Sequence, residues 1–426
     1  MDKETLRLVI VDQRESIEEK FRDKNIIVRD ASKSIALKAP TAFIVLGVRR
    51  AGKSTLSEQL FSEDKFGYIN FDDERLIGAT KDDLNVILQI FYELYGSDLS
   101  NIILDEVQLV SGWEPFVSRL RDTKKVIVTG SSSKLLSGEL STRLTGRHID
   151  LLLFPFSFNE FLTYKHWKIP KDFSTADKAE VVVLLNEYMA SGGFPEQFTL
   201  GRQVIRNIYN DIITKDVVIR HKIKHIDDLR QIARFLVSNS SKEFTYSSLK
   251  GVTRVKSLIT LSNWVRYLEE AYLIFRIERF SYKLKQTILA PKKIYCVDVG
   301  IINEISLEPM GNKGRLIENT VAVELIKDSK NFGFEIFYWK DYQGREVDFV
   351  IKEGREITNL IQATYATSRE AIDDREIKSL VMASKELRCK SLLIITWNYE
   401  GSIVRDGKKI VLVPLWKWLL NKELTK

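Results

Sequence analysis

The octapeptide Gly47-Val48-Arg49-Arg50-Ala51-Gly52-Lys53-Ser54 fits the pattern GxxxxGK[ST] in full. It follows an apolar, strand-like run at residues 43–46 and precedes a helical opening, Ser54-Thr55-Leu56. Such a loop constrains the fold as well as the chemistry, because it needs a strand behind it and a helix in front. Glycines let successive backbone N–H groups curl around phosphate oxygens, and the helix N-terminus adds partial positive charge. The spacing makes Gly47, Arg50, Ala51, Gly52, Lys53, Ser54 and Thr55 the candidate nucleotide-binding residues. Lys53 is expected at the β/γ oxygens of ATP and Ser54 on Mg2+.

A second element supports the first. Asn101-Ile102-Ile103-Leu104 is an apolar strand ending in Asp105-Glu106. Asp105 is placed to hold the Mg2+ shell and Glu106 to polarise an attacking water. The next strand, Val126-Ile127-Val128, runs into Thr129-Gly130-Ser131-Ser132-Ser133. A hydroxyl there, Ser131 or Ser132, is the candidate reader of the γ-phosphate. Arg143 and Arg147 follow in Arg143-Leu144-Thr145-Gly146-Arg147. They are candidates for stabilising charge on the transferring phosphoryl group; acting across a subunit contact, they would require a homo-oligomer.

Short β-like runs alternate with helical stretches through residues 41–150, which implies a parallel sheet with crossover helices. A chain of 426 residues is too long for one core. The expected order is a helical N-terminal extension (1–39), a phosphate-binding α/β core (40–154), a helical lid (155–205), a winged helix-turn-helix (206–300) and a further α/β domain (301–426). Net charge is +7, a mild tilt towards polyanions such as DNA. The only cysteines, Cys296 and Cys389, are far apart, which argues against a disulfide framework or a structural zinc site. With no signal-like start and no apolar run of ~18 residues, no membrane partner and a cytoplasmic location are expected.

The segment from Phe43 to Thr55 resembles the opening of the archaeal and bacterial AAA-type ATPases. Leu104-Asp105-Glu106-Val107-Gln108, Thr129-Gly130-Ser131-Ser132, Gly146-Arg147 and Pro155-Phe156-Ser157-Phe158-Asn159-Glu160-Phe161 continue the likeness in the same order. Gly192-Gly193-Phe194-Pro195-Glu196 is similar to the GxP motif of the related STAND-type switch ATPases, which implies a nucleotide-proximal role for Pro195. The C-terminal half resembles the restriction-endonuclease-like domain of unknown function often fused to these ATPases. The likeness spans roughly residues 40–365 and implies a P-loop NTPase sheet with a helical lid, then a PD-(D/E)xK-like α/β domain.

Three helical stretches and then two β-like runs, at residues 229–297, give the order of a winged helix-turn-helix. Arg254, Lys256, Ser257, Thr260 and Asn263 are left for a recognition face, with Val255, Leu258, Ile259, Leu261, Val265 and Leu268 mostly core-facing. Lys283, Lys285, Lys292 and Lys293 fall on the expected wing, where cations meet phosphates. In the nuclease-like domain, Glu318 and Asp348 match two expected carboxylates, and Glu346 is a substitute ligand if its strand stays regular. Gln362 and Thr364 stand where the next acid and the lysine should be. Two-metal or lysine-assisted hydrolysis lacks its parts there, so a degenerate nuclease domain is expected. The expected function is an ATP-hydrolysing switch on DNA. The alternatives are an ATP-dependent DNA endonuclease and a nucleotide-gated protein-interaction module without DNA.

Overall fold

Short, mostly apolar runs of five or six residues form β1 (Ala42–Gly47), β2 (Phe66–Asn70), β3 (Asn101–Asp105), β4 (Lys125–Gly130) and β5 (His148–Leu153). The structure, a computed structural model, describes residues 1–22, 26–35, 37, 41–131, 148–306 and 312–421. These fall into two units, one of residues 1–154 with 270–272 and the other of 155–269 with 273–426.

In the first unit the five strands are all parallel, in the order β2-β3-β4-β1-β5. Every residue of β1 and of β3 is buried, as both faces of a parallel sheet must be. Phe43, Val45, Leu56, Ile103 and Ile127 belong to one core cluster. Because β4 lies between β1 and β3, the carboxyl ends of these three strands are neighbours, where open α/β sheets place their ligands.

The N-terminal segment, expected as an extension, is a helix (Lys3–Lys20) packed into this unit. Leu6, Val9 and Ile10 are fully buried. Gln13 donates from Nε2 to Asn70 O at 3.1 Å and accepts from Asn70 N at 2.8 Å. The helix thereby covers β2, an edge strand whose open ladder would otherwise invite pairing.

The second unit holds β6 (Glu243–Phe244), β7 (Ile274–Arg279), β8 (Lys292–Cys296), β9 (Glu335–Lys340), β10 (Glu346–Glu353), β11 (Glu356–Ala363), β12 (Ser391–Thr396), β13 (Gly401–Arg405) and β14 (Lys408–Pro414). They form one mixed sheet in the order β13-β14-β12-β11-β10-β9-β7-β8-β6. The expected boundary at residue 300 is therefore not a boundary of this sheet. β7 and β8 pair antiparallel, as expected of a wing, but the helix Leu284–Leu289 separates them. The other edge of β7 pairs in parallel with β9, Glu278 opposite Phe337. Pairing both edges of β7 satisfies backbone groups that an isolated wing leaves to water.

Residues 155–205, expected as a lid on the first sheet, group with the second unit. The helix Thr175–Ser191 ends at the Gly192-Gly193-Phe194 turn, which Asp298 closes. Its carboxylate accepts from Gly193 N at 2.7 Å and from Gly300 N at 2.8 Å. Burial pushes the Asp298 carboxyl up to about 6, against the opposing pull of those N–H groups. A Cβ on Gly193 would lie 2.2 Å from Phe156 O, so close packing requires a glycine there. In the helix Leu258–Glu270, Leu261, Val265 and Leu268 are buried, whereas Leu258 and Ile259, expected in the core, are exposed. They sit in its first turn, ahead of the face that Leu261, Trp264 and Leu268 turn inward. Among the described residues, no helix is long and apolar enough to cross a membrane.

Candidate nucleotide site and a buried charge cluster

The phosphate-binding loop joins β1 to the helix Lys53–Gln59. Arg50 (φ 63°) and Gly52 (φ 94°) take left-handed backbone conformations that turn the chain sharply. Gly47 has φ 147°, and a Cβ there would lie 2.1 Å from Leu153 O on β5. Gly47→Ala must therefore part β1 from β5. We expect a loss of at least about 2 kcal/mol in thermal or urea unfolding of the full chain.

Among the described residues, the amides of Gly52, Lys53, Ser54 and Thr55 have no protein acceptor, whereas Leu56 N donates to Gly52 O at 2.9 Å. Four free donors at a helix start, beside a buried lysine, fit the oxygens of a phosphate chain. The Lys53 ammonium donates to Gly47 O and Val48 O, both at 3.2 Å, and lies 3.9 Å from Glu106 Oε1. Two carbonyls and a carboxylate thus hold its charge within the loop. Ser54 is half-buried at the same helix start.

Asp105 ends β3 and is 1 % exposed. Its Oδ2 accepts from Tyr68 OH at 2.8 Å, and its Oδ1 accepts from the Thr129 hydroxyl. Thr129 Oγ1 in turn accepts from Glu106 N at 3.1 Å. One hydroxyl on the intervening strand β4 thus fixes both residues of the acidic pair. Glu106 has φ 52°, which turns it out of the line of β3. Its carboxylate accepts from Gln108 Nε2 and from Ser131 Oγ at 3.4 Å. Burial, followed by the Asp105 charge, pushes the Tyr68 phenol well above its ordinary range, so it stays a donor to that carboxylate.

The structure therefore brings Gly47, Arg50, Ala51, Gly52, Lys53, Ser54 and Thr55 to one loop and helix start. Asp105, Glu106 and Ser131 lie on the adjoining strand ends. Arg143 and Arg147, with Ser132 and Ser133, lie outside the described residues. Pro195 belongs to the second unit, just after the Gly193 turn. Sequence reasoning missed three residues here: Tyr68, Thr129 and Arg29. The buried Arg29 guanidinium donates to Ala51 O at 2.7 Å and to Phe154 O at 2.8 Å, tying the loop to the chain after β5. Only tertiary contact reveals that role. Thr129 did carry a signal, as the last side chain of a strand beside the acidic one.

In the second unit two lysines expected to face phosphate prove to be buried. Lys292 Nζ donates to the carbonyls of Thr287 at 3.1 Å, Ile288 at 2.5 Å and Ala290 at 2.7 Å, at the end of the helix Leu284–Leu289. Lys293 is 2 % exposed, and its ammonium lies 2.8 Å from Glu318, 2.6 Å from Glu346 and 2.9 Å from Asp348. A lone ammonium of this depth is far too costly to bury without such partners. Gln362 Oε1 accepts from Asp348 N at 3.3 Å, and Asp348 Oδ2 from Ala363 N at 3.1 Å.

Glu346 and Asp348 do share a face, but a lysine from β8 stands among the carboxylates. Lys340 reaches Glu346 at 3.2 Å from the other side. Burial, then the Asp348 charge, pushes the Glu318 carboxyl up to about 8, and Tyr295 OH donates to it at 2.8 Å. Burial thus favours the protonated form of Glu318, while Lys293 bridges the three acids and Lys340 pairs with Glu346. Among the described residues, no group of three or more His, Cys, Asp or Glu side chains is disposed to hold a metal ion.

A parallel five-stranded sheet with a glycine-rich phosphate loop after β1 and an acidic pair after β3 is the architecture of a P-loop NTPase of the AAA type. Residues 39–162 match the AAA domain family. Residues 183–311 and 313–418 match two domains of unknown function, DUF8612 and DUF4143. The chain belongs to the same family as an uncharacterized protein of Methanocaldococcus jannaschii, 37% identical over 398 residues covering 89% of this chain and 88% of that one. An uncharacterized protein of Haemophilus influenzae is 25% identical over 393 residues, covering 88% of this chain and 93% of its own.

Two solved structures share weaker likeness. The Aeropyrum pernix Orc1 protein in complex with DNA has a TM-score of 0.31 at 11% identity, covering 68% of this chain and 89% of that chain. The Thermotoga maritima RuvB Holliday junction branch migration motor has a TM-score of 0.26 at 16% identity, covering 64% and 93%. Scores of this size carry no argument about function.

Proposed function

We propose that the chain is a Mg2+-dependent, ATP-hydrolysing AAA-type ATPase that works as a nucleotide-driven switch on DNA. The observation that carries this reading is the convergence at the ends of β1, β3 and β4. Four free amides, the Lys53 ammonium and the Asp105–Glu106 pair meet there. The amides and Lys53 hold the phosphates. Ser54 and Asp105 hold Mg2+, which when bound neutralises charge on the phosphate oxygens.

Glu106 orients the attacking water and accepts its proton, with Gln108 and Ser131 setting its position. Arg143 and Arg147 stabilise charge on the transferring group, and in a homo-oligomer do so for a neighbour. The segment carrying Pro195 responds to the nucleotide. DNA is favoured by the net charge of +7 and by the order of elements from the helix Ile226–Ser238 to β8. Arg254, Lys256 and Ser257 are exposed on that stretch. In this role the chain binds DNA without cutting it. Gln362 and Thr364 replace an acid and a lysine, and Lys293 neutralises carboxylates that remain.

ATP turnover measured with and without DNA, over a range of salt, tests the reading. DNA should raise turnover, and DNA affinity should fall steeply with salt. Turnover indifferent to DNA, with no salt-dependent binding, would replace the DNA switch by the protein-interaction module.

A further inference from the structure

The second unit carries an open groove of about 900 Å3 that nothing in the nucleotide site uses. Its floor includes Trp339, buried and donating from Nε1 to Glu386 at 3.2 Å. Two tyrosines stand at its lining almost bare: Tyr282 is 75% exposed and Tyr342 is 92% exposed. Neither is a loose side chain on a formless loop. Tyr282 meets Phe280 edge to face at 5.1 Å, and Phe280 meets Phe337 the same way at 5.5 Å.

Tyr342 projects from the turn between β9 and β10, which Asp341 builds. The Asp341 carboxylate accepts from Gln343 N at 2.8 Å, Arg345 N at 3.0 Å and Arg345 Nε at 2.6 Å. A hydrogen-bonded turn and an aromatic stack thus hold two rings in water.

Five cations and two carboxylates line the groove. Asp341 is taken by Arg345, and Lys340 is taken by Glu243 and Glu346. Among the described residues, no carboxylate is within ion-pair distance of Arg279, Lys283 or Lys285. Three uncompensated cations beside two exposed aromatic rings match one ligand chemistry closely. A single strand of nucleic acid offers phosphates to the cations and unpaired base faces to the rings. A duplex offers the phosphates but keeps its bases stacked. An apolar partner seated on the neighbouring Leu284 and Leu289, both exposed, would have to desolvate Lys283 and Lys285 without pairing them, which is costly.

We infer that this groove binds single-stranded nucleic acid, with Tyr282 and Tyr342 as base-stacking platforms and Arg279, Lys283 and Lys285 along the phosphates. The inference rests on the nucleic-acid part of the proposed function and sharpens it: the contact is with a strand whose bases are free. Lys340 joins the groove to the buried cluster through Glu346, so the strand would pass beside the nuclease-like carboxylates without entering them.

Fluorescence anisotropy on the full chain tests it, with a labelled oligothymidylate and a duplex of equal length. The single strand should bind more tightly than the duplex. Tyr282→Ala and Tyr342→Ala should each weaken it by about fivefold to about a hundredfold, while Tyr342→Phe keeps most of the affinity because the ring stacks and not the hydroxyl. Lys283→Ala with Lys285→Ala should lower the log–log salt slope by about 1.4, at about 0.7 for each phosphate contact.

All these side chains are exposed, so unchanged melting curves will show that the variants fold. Equal binding of duplex and single strand, untouched by the tyrosine variants, would overturn the groove and leave the DNA switch standing. No binding of either nucleic acid would overturn both. A change of sedimentation in Leu284→Ser or Leu289→Ser, with the tyrosine variants silent towards nucleic acid, would make the groove a contact between copies and overturn the assignment.

Discussion

Replacing Lys53 by alanine should lower ATP turnover by at least about a hundredfold, the scale on which an enzyme loses one preorganised charge at its reacting centre. Lys53 opens the helix that carries the free amides, and its ammonium is buried within the loop. The buried ammonium also bridges Gly47 O and Val48 O, so the variant relaxes the loop as well as removing charge. Two comparisons separate these effects. A circular-dichroism melt of Lys53→Ala should show a folded protein, and Glu106→Gln should retain nucleotide in a binding assay while losing turnover. Turnover undiminished in Lys53→Ala would move the reaction away from this loop.

The second large effect is on stability. Lys293→Met leaves Asp348, Glu346 and Glu318 facing one another with one buried cation fewer. Breaking a buried charge network in this way costs about 3–5 kcal/mol, a large share of the 5–15 kcal/mol that holds a typical protein folded. A urea titration of the two proteins measures it.

Glu318→Gln should behave in the opposite sense. The folded state raises the Glu318 carboxyl from 4.5 to about 8, chiefly by burial, so the folded protein holds this proton more tightly than the unfolded chain. Stability from this group is complete below about 4.5, falls as pH rises through the window to about 8, and is level above it. The slope is at most about 1.4 kcal/mol per pH unit. Glutamine removes that slope, so the variant should match or exceed the parent at pH 8 and show a flatter pH curve. A Lys293→Met protein as stable as the parent would mean that the ammonium does not balance these acids.

The first sheet was legible because its signals are local. Continuous apolar runs such as Phe43 to Leu46 read as buried parallel strands, and the residues that end them lie next to each other once the strands pair. The supports of the site were not legible. Arg29 reaches Phe154 across 125 positions of sequence, and Tyr68 reaches Asp105 only because β2 and β3 are neighbours.

The second unit was harder for a physical reason. Lys292 and Lys293 look alike in sequence, and alternation along a strand says that they face opposite ways but not what lies on either side. Helix carbonyls lie on one side and three carboxylates on the other. The nuclease-like pattern places its lysine two positions after Gln362, whereas the cation beside Asp348 comes from β8, some seventy positions earlier. Spacing along a chain cannot show a charge delivered by another strand.

The pairing of β7 with β9 bears on how such proteins can be taken apart. Two family matches meet between residues 311 and 313, and each invites treatment as an interchangeable part. The hydrogen bonds between Glu278 and Arg279 on one side and Phe337 and Tyr338 on the other stitch across that seam. A chain divided at that seam leaves β7 and β9 each with a bare edge, so a recombination event there would have to supply a partner for both edges at once.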